Sequence, residues 1–379
     1  MAKTDILLFV EDPSAANYAA LLLPAFIRKG WRTRIYASGV ACESLRARGM
    51  VFAEAPSDSD ARSLLSLINP SCVLTGNAEN PETLGLRLID AAREAGIPSV
   101  GFVDALMRAF YRFRGTTADP LAHAPDLLLV PDDRTGEAFA ALGYPPENTV
   151  VCGHPQYDET MAVGRCWDKE GGPADFRRRL FPGVAVERKI LTFVSEGSFR
   201  YPSARKSAEA EYGFLGRGAD KGRTRIVLEE VLDAVAGFAD KPYFVFRAHP
   251  IEKAEDYAEY GADVDRFSSG GSPLELVYAS DLTVGMTSML LLEAALLGRP
   301  TLAVLARKSE IELLPNVRVG LTPHVLNRRD LRSMLPALLA HDDAKPDSSN
   351  VDQLVTGAAE RVVSTLEGVI GQKEHLWKS

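Results

Sequence analysis

Short apolar runs, many of them β-branched, alternate with longer amphipathic stretches through the first half of the chain. That is the pattern of a parallel sheet whose strands are joined by covering helices. Asp5 to Val10, Arg32 to Ala37, Val51 to Ala53, Cys72 to Thr75, Ser99 to Phe102 and Leu127 to Val130 read as strands. Between them, Ala15 to Arg28 and Pro81 to Ala95 read as helices. The second opens on Asn80-Pro81-Glu82, a capping residue before a proline suited to the first turn, and each helix is expected to stop near the glycine that follows, Gly30 or Gly96.

Residues 150–158 read as a last strand leaving this first domain, and the polar, glycine-containing stretch to Gly183 as a crossover. The rhythm then restarts. Lys189 to Val194, Tyr243 to Ala248, Leu282 to Gly285 and Thr301 to Leu305 are strands; Arg225 to Phe238, Pro273 to Ala279 and Met289 to Leu297 are helices. Arg200 to Arg223 is charged, has few apolar residues and no period, and is expected to be a mobile loop. Arg329 to Leu339 and Val351 to Ile370 are helical, separated by the hydrophilic run His341 to Asn350. The fold class expected is α/β, two tandem Rossmann-like doubly wound domains with a cleft between them. Their bounds are 1–165 and 189–345, with a linker over 166–188 and a closing helix within 346–379 that packs back across the domains.

Length agrees, since 379 residues exceed one ordinary core. Asp plus Glu outnumber Lys plus Arg by 51 to 43, a net charge of -8, so no global basic field exists to collect nucleic acid or an anionic membrane. Cys42, Cys72, Cys152 and Cys166 form no CxxC pair and mostly sit in apolar runs, as small buried side chains of a reducing compartment do. The start, Met1 to Asp5, passes straight into a strand, and no run approaches the roughly 20 apolar residues that span a bilayer. A cytoplasmic protein is expected, with peripheral contact to a membrane-borne acceptor and a homodimer both left open.

Ligands of open parallel sheets bind beyond the carboxyl ends of the strands, so chemistry is sought just after each one. Ser195-Glu196-Gly197-Ser198 follows one strand: Gly197 permits close backbone approach, and Ser195 and Ser198 offer hydroxyls to phosphate oxygens. A plain strand-ending turn is the alternative. Glu196 would repel phosphate and fits either a base facing an acceptor or a solvated side chain. Arg247, His249 and Pro250 close a second strand, where a guanidinium or imidazole could neutralise a departing phosphate. After a third, Thr287 or Ser288 is a candidate N-cap that aims a helix start at a diphosphate. Glu293, six residues past Thr287 in an apolar helix, fits a ribose diol or a salt bridge.

This order of small-polar loop, strand-His-Pro, and strand-Thr-Ser followed by Glu293-Ala294 and Gly298-Arg299-Pro300 resembles the nucleotide-binding half of GT-B glycosyltransferases. The likeness is strongest to the bacterial group of capsule polymerases, sialyltransferases and teichoic acid glycerophosphotransferases. The resemblance implies that His249, Pro250, Thr287 and Ser288 contact the donor's phosphate and nucleotide. A glutamate in the following helix binds ribose across the wider GT-B and 2-epimerase group, which carries over to Glu293. Sialyltransferases of the group carry an acidic-acidic-glycine motif; here it reads Ser195-Glu196-Gly197.

In the first domain the loop Glu11-Asp12-Pro13-Ser14-Ala15-Ala16-Asn17 stands where dinucleotide-binding proteins carry GxGxxG, whose absence argues against such a cofactor. Glu11, Ser14 and Asn17 are candidates for the acceptor side. Asp12 is a candidate base or simply a helix cap, and Asp104, also after a strand, is a further candidate base. Gly76-Asn77-Ala78-Glu79 is a weaker cleft candidate. His154-Pro155 is read as structural, Asp263-Val264-Asp265 as a solvated loop, and the six histidines show no zinc spacing. The expected function is a metal-independent inverting transfer from a nucleotide-sugar donor to a glycan or protein acceptor in bacterial surface polysaccharide or glycoconjugate synthesis. No cofactor and no nucleic-acid partner are expected. A UDP-sugar 2-epimerase or hydrolase of the same fold is the nearest rival, although those carry a Gly-Thr-Arg-Pro-Glu type first loop. A non-catalytic nucleotide-sugar-binding protein is the other.

Overall fold

The computed structural model describes residues 4–56, 58–76, 80–104, 109–197, 212–218, 222–340, 348–351 and 354–376. The chain forms two compact units, Met1–Glu159 with Val355–Ser379, and Thr160–Leu354.

The first unit holds β1 (Thr4–Val10), β2 (Thr33–Ala37), β3 (Ala53–Glu54), β4 (Pro70–Gly76), β5 (Ser99–Phe102), β6 (Leu127–Val130) and β7 (Thr149–Val151). They lie in the order β3-β2-β1-β4-β5-β6-β7, parallel in every pairing. Strand alternation splits the core between the two faces of the sheet. Leu8 and Val10 face Tyr18, Leu22 and Phe26 of the helix Pro13–Arg28, together with Val362 and Leu366 of the last helix, Ala358–Leu376. Leu7 and Phe9 face Leu84 and Leu88 of the helix Leu84–Glu94. Each such buried side chain contributes about 1.5–3 kcal/mol. The last helix is tied to this unit by Asp158, whose carboxylate accepts from the N–H groups of Gly357 (2.7 Å) and Ala358 (2.9 Å).

The second unit holds β8 (Ile190–Val194), β9 (Tyr243–Arg247), β10 (Arg266–Ser268), β11 (Leu282–Gly285), β12 (Thr301–Val304) and β13 (His324–Val325), in the order β10-β9-β8-β11-β12-β13 and again parallel. Phe193, Phe246 and Val284 pack against Val227 and Val231 of the helix Arg223–Ala236. On the other face Ile190, Val194 and Val245 meet Phe176, Leu276 and Tyr278. Both units are Rossmann-like and doubly wound.

Three stretches differ from their sequence reading. The crossover to Gly183 contains two helices, Pro155–Lys169 and Gly172–Leu180; the second buries only Phe176, and its arginine-rich remainder hides the period. The part of the supposed mobile loop spanning 212–218 is packed: Phe214 is buried, and Glu230 accepts from the N–H groups of Leu215 (3.1 Å) and Gly216 (2.9 Å). Asn80 does not cap Leu84–Glu94; it holds a preceding turn, and Thr83 is the cap. Three cysteines are buried and Cys166 is exposed. Among the described residues no helix is long and apolar enough to cross a membrane.

Candidate functional site

A doubly wound sheet opens a crevice where strand order reverses, between β8 and β11 in the second unit and between β1 and β4 in the first. The expected residues fall into these two places.

In the second unit the turn after β8 begins at Ser195, which is buried and donates its N–H to Arg247 O (2.9 Å). Gly197 has φ +62°, and a Cβ there would lie 2.9 Å from the Ile251 side chain, so glycine is required on both counts. Ser198 lies outside the described residues. Glu196 turns inward. Its carboxylate accepts from the Thr287 N–H, from Thr287 Oγ1 (2.9 Å) and from Arg223 Nη1 (2.6 Å).

Arg223, first residue of its helix, is the hub of a buried polar network. Nε donates to Glu310 Oε1 (2.8 Å), and Nη2 to Thr287 Oγ1 (3.3 Å). Glu310 also accepts from the Ala306 N–H (3.0 Å) and Arg307 Nε (3.2 Å). Burial opposes the Arg223 charge, and Glu196 and Glu310 more than offset it, holding the guanidinium above its ordinary value. The network joins the loops after β8, β11 and β12, and it occupies both Glu196 oxygens.

After β11, Gly285 is compulsory because a Cβ would fall 2.5 Å from Val194 Cγ2. Ser288 caps the helix Met289–Leu296, its Oγ accepting from the Leu290 N–H (3.3 Å). Thr287 stands just ahead of this positive helix end. Glu293 is half-buried on the same, otherwise mostly apolar helix.

After β9, Arg247 is committed locally: it donates to Ser268 Oγ (3.1 Å) and to the carbonyls of Gly270 and Gly271, and burial lowers its pKa. His249 is half-buried and Pro250 exposed. Burial pushes the His249 imidazole below its ordinary value, against the pull of Glu252 and Glu196. Glu252, absent from the sequence reading, is buried and stitches this turn to the first. It accepts from the His249 N–H (2.9 Å) and from Tyr257 OH (2.5 Å), which in turn lies 3.5 Å from Ser195 Oγ.

In the first unit Asp12 caps Pro13–Arg28, Oδ1 accepting from the Ala15 N–H (2.7 Å). Burial raises its pKa, with Asp104 adding to the rise and Arg112 opposing it. Asp104, after β5, accepts from Ser14 Oγ (2.5 Å) and from the buried Arg112 (3.2 Å). Glu11 Oε1 accepts from Asn80 (2.8 Å), and Asn17 donates to Gln156 (2.5 Å). Asp12, Ser14 and Asp104 are thus gathered at the reversal, with Glu11 just ahead of the helix Pro13–Arg28 and Asn17 in its first turns. Close by, His154 is buried with its ring edge-on to Tyr18 (5.0 Å) and stacked on Tyr157 (5.3 Å); burial drives its pKa down to about 4. Residues 77–79 lie outside the described residues.

Asp263 and Asp265 do not form a metal site: Asp263 pairs with Arg217 (2.7 Å) and Asp265 with Arg188 (2.9 Å). Among the described residues no group of three or more His, Cys, Asp and Glu is placed to hold a metal ion.

No protein-family model matches the chain, and no curated protein matches it in sequence. Solved structures do match. The UDP-GlcNAc 2-epimerase of Methanocaldococcus jannaschii is similar with a TM-score of 0.66 and 14% identity, over 96% of this chain and 99% of that one. The UDP-GlcNAc 2-epimerase of Neisseria meningitidis gives 0.65 and 13%, over 96% and 99%. The wall teichoic acid polymerase TagF gives 0.56 and 15%, over 98% and 90%. At these identities the likeness is one of fold, the two Rossmann-like domains of the GT-B class.

Proposed function

We propose that the chain is an enzyme acting on a nucleotide-linked sugar or sugar-like unit, and that it transfers this unit to a glycan or protein hydroxyl by inverting displacement without a metal. The observation that carries the reading is the convergence of three turns, after β9, β8 and β11, at the strand-order reversal of the second unit. They bring together Ser195, His249 and the capped helix start behind Thr287, groups that donate to phosphate oxygens. Glu293 then serves the ribose. Solved proteins of this fold named for UDP-GlcNAc and for wall teichoic acid support the class of substrate.

In the proposed step an acceptor oxygen attacks the donor's anomeric carbon. Its proton passes to a carboxylate, the carbon–phosphate-oxygen bond breaks, and the nucleotide departs with the electron pair. Glu196 accepts three hydrogen bonds, one of them from Arg223 at 2.6 Å, and is the weakest of the three candidate bases. Asp12, whose raised pKa brings it toward neutrality, and Asp104, held by Ser14 and Arg112, are the pair for that role. Epimerisation at the sugar is the second reading, since two solved proteins named as UDP-GlcNAc 2-epimerases share the fold.

The test is thermal stabilisation by CMP, CDP, UDP, GDP and their sugar or glycerol conjugates, since a ligand that binds only the folded state raises the melting temperature. One nucleotide series should stabilise the wild type and fail with His249→Ala and Glu293→Ala. If no compound stabilises the wild type at millimolar concentration, the proposal falls.

A further inference from the structure

The turn after β9 holds its histidine in one state. Nδ1 of His249 accepts the N–H of Ile251 (3.3 Å), and a ring nitrogen that accepts carries no proton, so the single proton of the neutral ring sits on Nε2. Protonating Nδ1 would set two donors against each other. The backbone of the same residue is fixed by Glu252, which takes the His249 N–H with one oxygen and the Tyr257 hydroxyl with the other. Gly197 completes the packing: a Cβ on it would meet Ile251 at 2.9 Å and Glu252 at 3.4 Å, so the turns after β8 and β9 lie directly on one another.

Resting on the assignment of this site to a nucleotide diphosphate, we propose that His249 works as a neutral Nε2–H donor to a phosphate oxygen, and that Glu252 is the positioning residue that sets its tautomer. The charged groups facing the ring have their own partners. Glu252 is engaged as above, and Glu196 arrives from the turn after β8 already paired with Arg223. The leaving nucleotide therefore departs as the anion, without a proton from this histidine.

The ring state is read first in the unliganded protein, by two-bond proton–nitrogen NMR on histidine-labelled chain, with His249→Gln identifying the signal. At about pH 7 the expected result is a proton on Nε2 and none on Nδ1; an imidazolium or the opposite tautomer overturns the proposal. Glu252→Gln should mix the tautomers while the protein stays folded, and Tyr257→Phe should do so more weakly; an unchanged ratio in both removes Glu252 from its role. Affinity is then measured with UDP-N-acetylglucosamine and CDP-glycerol, whose diphosphate diesters do not titrate in this range. Between about pH 5.5 and about pH 8 the dissociation constant should move less than about threefold, and His249→Gln, which keeps a neutral donor, should bind at least about tenfold tighter than His249→Ala. Affinity that climbs about tenfold per unit of falling pH, with Gln no better than Ala, contradicts it. Failure of both compounds to bind the wild type refutes the nucleotide site, while the ring state still decides the tautomer.

Discussion

Replacing Arg223 by methionine is the sharpest probe of the second unit's architecture. The side chains of Arg223, Glu196 and Glu310 are 7%, 12% and 4% exposed, so solvent screens the network little. The substitution keeps most of the aliphatic volume and removes one cation from between two carboxylates. Removing one partner of a buried ion pair typically costs about 3–5 kcal/mol. Here the lower end applies, about 3 kcal/mol, because Glu310 keeps Arg307 and the Ala306 N–H, and Glu196 keeps both Thr287 groups. Urea unfolding followed at Trp167, which packs on Phe176 (4.7 Å) and Tyr278 (5.1 Å) in the same unit, reads the change where it occurs. Arg223→Lys should fall between, since one ammonium cannot reproduce donations to Glu310, Glu196 and Thr287 together. Adding Glu196→Gln and Glu310→Gln to Arg223→Met should restore much of the loss. A loss below about 0.5 kcal/mol for Arg223→Met alone would refute the assignment of a buried, mutually dependent network.

Three further outcomes follow from the geometry. Gly285→Ala should destabilise the second unit by about 1–3 kcal/mol in urea, because its Cβ enters the space of Val194. His154 is buried neutral, with a pKa near 4 against an ordinary 6.5, so the unfolded chain binds more protons between these values. Its contribution is complete above about pH 6.5 and should fade by about 3 kcal/mol as pH drops toward 4, a slope that His154→Gln removes in acid titrations of stability. Asp104→Asn should lower kcat with acceptor at least about a hundredfold while donor binding stays within about twofold, measured by steady-state kinetics and calorimetry.

The fold was legible because the central strands are buried on both faces and so read as unbroken apolar runs; Pro70–Gly76 is buried throughout. The two-residue strands Ala53–Glu54 and His324–Val325 carry too little pattern to locate; a neighbouring run was read for the first and nothing for the second. Asp104, Thr287 and His249 were found by looking beyond strand ends. Arg223 and Glu252 were not, since both lie in polar stretches and only tertiary packing buries them. A clue existed for Arg223: two glutamates, Glu196 and Glu310, follow strands of the same sheet, and such a pair demands a cation. Nothing in the sequence shows that Arg247 is spent on the Ser268–Gly271 loop, because its carbonyl partners carry no side-chain signal.

The proposed reaction consumes a nucleotide-linked donor only in the presence of an acceptor. Phosphorus and proton NMR of the protein with UDP-, CDP-, GDP- and CMP-linked donors, each with and without a panel of glycan and peptide acceptors, tests it most directly. Free nucleotide and an inverted glycosidic product should appear only when an acceptor is present, and both should be lost in Asp104→Asn. A donor that is bound but never consumed, or one converted to its C2 epimer without any acceptor, would contradict it.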